Sequence, residues 1–176
     1  HYDENMSEIF FRELEIPTPK YQLSVGSGKH GEQTAKMIEK IEQVLEEEKP
    51  DAIIVYGDTN STLAGAIAAS KIHVPIIHIE AGLRSFDKAM PEEINRILCD
   101  HCSTLLFSPT IHGYNNLLKE GFSAEIYNKP TADKPNIFHC GDIMYDNTLY
   151  FSQKLEDTKS EYGNNFILCT IHRNTN

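Results

Sequence analysis

The 176 residues hold 40% hydrophobic and 24% charged side chains, the balance of a globular chain rather than a disordered one. A formal net charge of -10, with no basic stripe, excludes a surface built to follow nucleic-acid phosphates. No apolar run is long enough to cross a bilayer and no export signal opens the sequence, so the expectation is a cytoplasmic protein, not a membrane-bound one.

In chain order, a polar opening marked by Pro17 and Pro19 leads to a glycine-rich turn at Gly26 to Gly31. A helix then begins near Glu32, with Ala35, Met37, Ile38, Ile41, Val44 and Leu45 at helical spacing; Pro50 stops it. Asp51 to Tyr56 reads as a strand, and its unbroken apolar run predicts burial on both faces, as in a parallel sheet covered by helices. Gly57 turns the chain into a helix from about Ser61 to Lys71, whose alanines and Gly65 allow close packing on a sheet. Strands at Ile76 to Glu80, Thr104 to Phe107 and Ile137 to Cys140 follow, with helices from Glu92 to about Cys99 and from Thr110 towards Gly121. Asn128 to Lys134 reads as a surface loop, Ile143 to Leu155 as an amphipathic helix and Phe166 to Ile171 as a further strand.

Strands alternating with helices make this an α/β chain with a doubly wound parallel sheet. The expected organisation is a domain over 1–142, a connecting helix and linker over 143–160, and the opening of a second domain over 161–176. Because it opens at His1 and stops at Asn176 with neither cap nor polar tail, the sequence reads as a piece of a longer protein. Cys99 and Cys102 form a C-x-x-C, but no second pair accompanies it. The pair reads as buried reduced thiols, Cys99 on the helical pattern and Cys102 beyond it; Cys140 and Cys169 complete the four cysteines.

Ligands of such a sheet bind beyond the carboxyl ends of its strands, and polar groups gather there. Asp58, in Gly57-Asp58-Thr59-Asn60-Ser61-Thr62, is either the cap of the following helix or a group facing a ligand. Glu80 closes a buried strand and needs a partner, Arg84 or Arg96. If it shares a crevice with Asp58, the two carboxylates suit acid–base chemistry. Pro91-Glu92-Glu93 is an ordinary helix start when taken alone. His172-Arg173 offers an acid and a cation for a phosphate.

Together these segments, with Pro91-Glu92-Glu93-Ile94-Asn95-Arg96, Phe107-Ser108-Pro109-Thr110, Asn116-Leu117 and Glu120-Gly121, resemble the non-hydrolysing UDP-N-acetylglucosamine 2-epimerases in order and spacing. The resemblance implies a Rossmann-like half of a two-domain, glycosyltransferase-B-like fold, a UDP-sugar substrate, no cofactor or metal, and a homodimer. It implies Asp58, Glu80, Glu92 and His172 as the catalytic set, and Arg84, Arg96 and Arg173 as substrate-binding groups. It also implies an activating second site near His1 and Gln33. The family's first strand, with its Gly-Thr-Arg-Pro-Glu loop, would precede His1. Where the family has His-Arg-x-Glu-Asn, this chain has His172-Arg173-Asn174-Thr175-Asn176. The opening Tyr2 to Met6 and the loop Ser85 to Met90 are similar to those of members acting on diacetamido uronic acids.

Overall fold

The computed structural model describes residues 8–154, together with Ile167 and Cys169. A short helix α1 (Glu8–Glu13) is followed by α2 (His30–Glu48), β1 (Ile53–Tyr56), α3 (Asn60–Lys71) and β2 (Ile76–Ile79). Then come α4 (Pro91–Cys102), β3 (Leu105–Ser108), α5 (Ile111–Lys119), β4 (Asn136–His139) and α6 (Ile143–Lys154). The four strands form one parallel sheet in the order β1-β2-β3-β4, with Ile53 opposite Ile76, Ile77 opposite Leu105, and Leu105 opposite Asn136. The α/β class and the parallel sheet are those read from the alternating pattern.

Local chemistry explains the element ends. Lys49 adopts the left-handed conformation and donates its N–H to the Leu45 carbonyl, closing α2 before Pro50. Pro91 sits in the first turn of α4 beside Glu92 and Glu93, where a missing N–H costs nothing and the helix dipole favours acids. In α3, Ala64, Ala66, Ala68 and Ala69 are fully buried, and a side chain at Gly65 would lie 3.2 Å from Val55 Cγ1. Small residues thus bring this helix down onto the sheet. One core cluster joins Leu45, Val55, Ala66, Ala68, Ala69, Ile76 and Cys99; the other joins Ala81, Leu106, Leu117 and Ile137.

Strand alternation and register divide the sheet into two faces. Val55, Ile76, His78, Leu106, Ser108 and Ile137 point to the helix-covered side and are buried. The other side carries Ile54, Tyr56, Ile77, Ile79, Leu105, Phe107 and Phe138, with the Phe107 and Phe138 rings stacked at 5.1 Å. Here the expectation for β1 fails. Ile54 is 53% and Tyr56 64% exposed, and β1 is an edge strand among the described residues. An apolar run records suitability for burial, but the neighbouring element decides whether burial occurs.

The chain divides into two compact units, one ending at Asp142 and one starting at Ile143. In the second, α6 exposes Met144, Tyr145, Tyr150 and Phe151, and Lys154 Nζ lies 4.3 Å over the Tyr150 ring. The strand expected over Phe166 to Ile171 lies outside the described residues except for Ile167 and Cys169. Helix α1 has no counterpart in the sequence reading, and α4 runs on to Cys102, so Cys102 does not leave the helix.

Candidate active site

The loop after β1 begins at Gly57, whose φ of 64° suits a residue without a side chain. Thr59, not Asp58, caps α3: its Oγ1 accepts from the Thr62 N–H at 3.4 Å and pairs with the Ser61 and Thr62 hydroxyls at 2.8 and 3.0 Å. With the cap supplied by its neighbour, the Asp58 carboxylate serves elsewhere. Its Oδ2 lies 2.9 Å from Arg96 Nη2.

Glu80, which follows β2, has a φ of 75°, a left-handed conformation uncommon for a side chain of its size. Its N–H and that of Ala81 both donate to the Phe107 carbonyl at 3.0 Å, fixing the twist. Such backbone strain costs on the order of 1–3 kcal/mol and gathers at functional sites. Here it brings Glu80 Oε2 within 3.4 Å of the same Arg96 Nη2 that holds Asp58. Of the two partners open to Glu80, Arg96 is the one used. The Arg96 side chain is 12% exposed, and its Nε is buried with no hydrogen-bond partner among the described residues. One cationic nitrogen therefore spans two carboxylates at the mouth of the sheet.

Helix α4 delivers Arg96 and also Asn95, whose Nδ2 donates to the Asp58 carbonyl at 2.9 Å and to Asn60 Oδ1 at 3.1 Å. Glu92 is half-buried and stands four residues before Arg96, one turn nearer the helix start. Its neighbour Glu93 was missed in the sequence. Glu93 is 4% exposed and accepts from Ser85 N and Oγ at 2.8 and 3.1 Å and from Phe86 N at 3.1 Å, so it secures the loop leading into α4. Helical phase was the usable signal, since Glu93 lies seven residues before the buried Asp100 and Asn95 four before the buried Cys99.

Arg84 is not free for a substrate. Its side chain is 1% exposed; Nε and Nη2 donate to Glu120 at 2.7 Å, Nη2 also meets Asp100 Oδ2 at 2.7 Å, and Nη1 donates to the Leu83 carbonyl. Asp100, unmarked in the sequence, and Glu120, marked there only as part of the family pattern, consume its charge. Gln33 is likewise engaged, donating to the Gly26 carbonyl at 2.8 Å and accepting from Asn60 Nδ2 at 3.3 Å. That tie joins the start of α2 to the Asp58 loop. His1, His172 and Arg173 lie outside the described residues.

Burial pushes the Cys99 thiol up to about 12, which keeps it an inert part of the core. Cys102 is half-buried, and Cys140 and Cys169 are exposed free thiols. A separate hollow lined by His101, Phe122, Tyr127, Lys134 and Pro135 includes none of Asp58, Glu80, Glu92 or Arg96.

A family model described as UDP-N-acetylglucosamine 2-epimerase matches residues 1–176. The chain is 50% identical over 183 residues to a UDP-N-acetylglucosamine 2-epimerase homolog of Methanococcus maripaludis, covering all of this chain and 48% of that protein. It is 52% identical over 179 residues to the UDP-2,3-diacetamido-2,3-dideoxy-D-glucuronate 2-epimerase of Pseudomonas aeruginosa, again covering 100% of this chain and 48% of the relative. The chain thus spans about half the length of the curated relatives it matches. Among solved structures, the Methanocaldococcus jannaschii UDP-GlcNAc 2-epimerase in complex with UDP-GlcNAc and UDP superposes with a TM-score of 0.80 at 52% identity, over 90% of this chain and 41% of that one.

Proposed function

Because the chain belongs to the UDP-N-acetylglucosamine 2-epimerase family, we propose that the full-length protein inverts C2 of a UDP-2-acetamido sugar by losing and re-adding UDP. The observation that carries this reading is the Arg96 bridge, which gathers Asp58 and Glu80 at the carboxyl ends of neighbouring strands. The hydrogen on C2 is not acidified by a carbonyl. Breaking the C1–O bond to UDP gives C1 oxocarbenium character, which does acidify it. A carboxylate takes the C2 proton, the C1–C2 double bond of a glycal forms, and UDP departs with the C1–O electron pair. UDP then adds back at C1 while a second acid delivers a proton to the opposite face of C2.

Asp58 and Glu80 are proposed as two members of this acid–base set, with Glu92 approaching from the start of α4 and His172 assisting at the departing phosphate. Arg96 keeps the first two carboxylates in register, and Arg173 is assigned to the substrate. Residues 1–142 form the first domain, 143–160 the connecting helix and linker, and 161–176 the opening of the UDP-binding domain; the compact unit ending at Asp142 supports the first boundary. Family likeness alone supports an activating site near His1 and Gln33, a homodimer and a cytoplasmic setting.

A diacetamido uronic acid is the second substrate reading, favoured by the Pseudomonas aeruginosa relative at 52% identity. Incubating the full-length protein with each UDP-sugar in heavy water tests both. Interconversion of the two epimers with deuterium appearing at C2 is expected for the true substrate. Epimerisation without deuterium would remove Asp58, Glu80 and Glu92 from their roles. Free sugar in place of the UDP epimer would make the protein a hydrolysing relative.

A further inference from the structure

Asp58 is gripped through its backbone as well as its carboxylate. The carbonyl before it, Gly57 C=O, accepts from His78 Nε2 at 2.8 Å, and its own carbonyl accepts from Asn95 at 2.9 Å. The Gly57 N–H donates to the Ile79 carbonyl at 3.0 Å, and a side chain at Gly57 would lie 3.0 Å from Glu80 Oε2. Residues 78 and 79 thus meet the same glycine by a ring nitrogen and a carbonyl, and the Glu80 carboxylate occupies the space that a side chain there would need.

His78 is fully buried, and its hydrogen positions follow from its neighbours. A carbonyl can only accept, so Nε2 carries hydrogen. Nδ1 lies 2.7 Å from Asp100 Oδ1, while Oδ2 of that carboxylate already accepts from the Gly82 N–H at 3.1 Å and faces Arg84 Nη2 at 2.7 Å. Two lone pairs cannot face each other across 2.7 Å, so a hydrogen lies between Nδ1 and Oδ1. Turning the ring over would put carbons at both contacts and leave two buried polar groups unmet. The ring is therefore a fixed strut. One end sets the peptide plane from which Asp58 departs; the other leads through Asp100 to Gly82, two residues beyond Glu80.

We propose that His78 is the positioning residue of the crevice, holding the Asp58 loop in register with the end of β2 through the hydrogen bond from its Nε2 to the Gly57 carbonyl. The inference rests on the epimerase reading for its kinetic consequence but not for its structural one. Glutamine places an amide nitrogen where Nε2 stands, and asparagine places one where Nδ1 stands. In the full-length protein, His78→Gln keeps the donor to Gly57 and should retain most of kcat. His78→Asn keeps only the Asp100 side and should lose about 100-fold in kcat, the scale of a misplaced reacting group, with KM unchanged.

The reverse ranking, or equal losses in both variants, would overturn the proposal, because the His78–Asp100 pair would then be ordinary scaffolding. Independently, NMR of the wild-type full-length protein should show hydrogen on Nε2 and a trans-hydrogen-bond coupling from that nitrogen to the Gly57 carbonyl carbon. Absence of either sinks the strut even if both variants fail to fold. If the wild-type protein forms no C2 epimer but shows the coupling, the epimerase reading falls and the strut stands.

Discussion

Two arginines in this molecule each stand between two carboxylates, and they do so in opposite ways. Arg84 is buried, meets Glu120 through two nitrogens at 2.7 Å and touches Asp100 at 2.7 Å. Arg96 reaches Asp58 and Glu80 through a single nitrogen, at 2.9 and 3.4 Å, with Glu80 44% exposed. The first arrangement spends the charge of its carboxylates on holding α4, α5 and the chain after β2 together. The second leaves both carboxylates partly exposed, Asp58 at 26% and Glu80 at 44%, as the acid–base role proposed for them requires. The scaffold and the proposed reactive site use the same residue types; the completeness of pairing distinguishes them.

The sharpest way to break this contrast is to neutralise each site in turn. Asp58→Asn or Glu80→Gln in the full-length protein should cut kcat by roughly 10²–10⁴-fold, the usual weight of a general acid or base. Because both groups are partly exposed, the melting temperature should hardly move, and calorimetry beside a turnover assay checks the pair. Should either variant keep wild-type turnover, the Arg96 site is scaffolding too.

Arg84→Met should do the reverse, leaving the buried Asp100 without its arginine and the more exposed Glu120 without its two-nitrogen partner. The expected loss is about 3–5 kcal/mol of stability, read from denaturant midpoints. A neutral effect would show that Asp100 and Glu120 do not depend on Arg84.

The smallest effect concerns pH. The Cys99 thiol is held up at about 12 by burial, with the nearby Asp100 charge adding to it, from an ordinary value of 9.0. In the unfolded chain the thiol ionises above its ordinary value, whereas in the folded chain it ionises only near 12, so the unfolded state binds fewer protons in between. Its contribution is whole below pH 9 and is lost as pH rises towards 12. Cys99→Ala should therefore flatten the fall in denaturant midpoint between pH 8 and 10. An unchanged slope would mean that Cys99 is not sealed in the core.

How much of this could be read in the sequence depends on the range of the deciding interaction. Strands β1 to β4 were visible because short runs rich in apolar residues, four in a row only in β1, are a local signal, and Asp58 and Glu80 stood out as acids just after such runs. The pairing of Arg84 was not legible because its partners Asp100 and Glu120 lie 16 and 36 residues on, joined to it only by folding. The cap passed from Asp58 to Thr59 because both residues satisfy the same rule, and one residue of register decides between them. Helix α1 is six residues long, too short for a helical stripe to show, and the exposure of Ile54 and Tyr56 depends on what neighbours β1 rather than on the strand itself.

The φ of 75° at Glu80 has a consequence for engineering. A left-handed conformation costs an ordinary residue roughly 1–2 kcal/mol and glycine almost nothing. Among single changes at this position, glycine should make the fold more heat-resistant while deleting a carboxylate proposed to serve the reaction. Screening libraries for thermal robustness alone would therefore enrich well-behaved, inert proteins, so selection here has to score turnover and stability together.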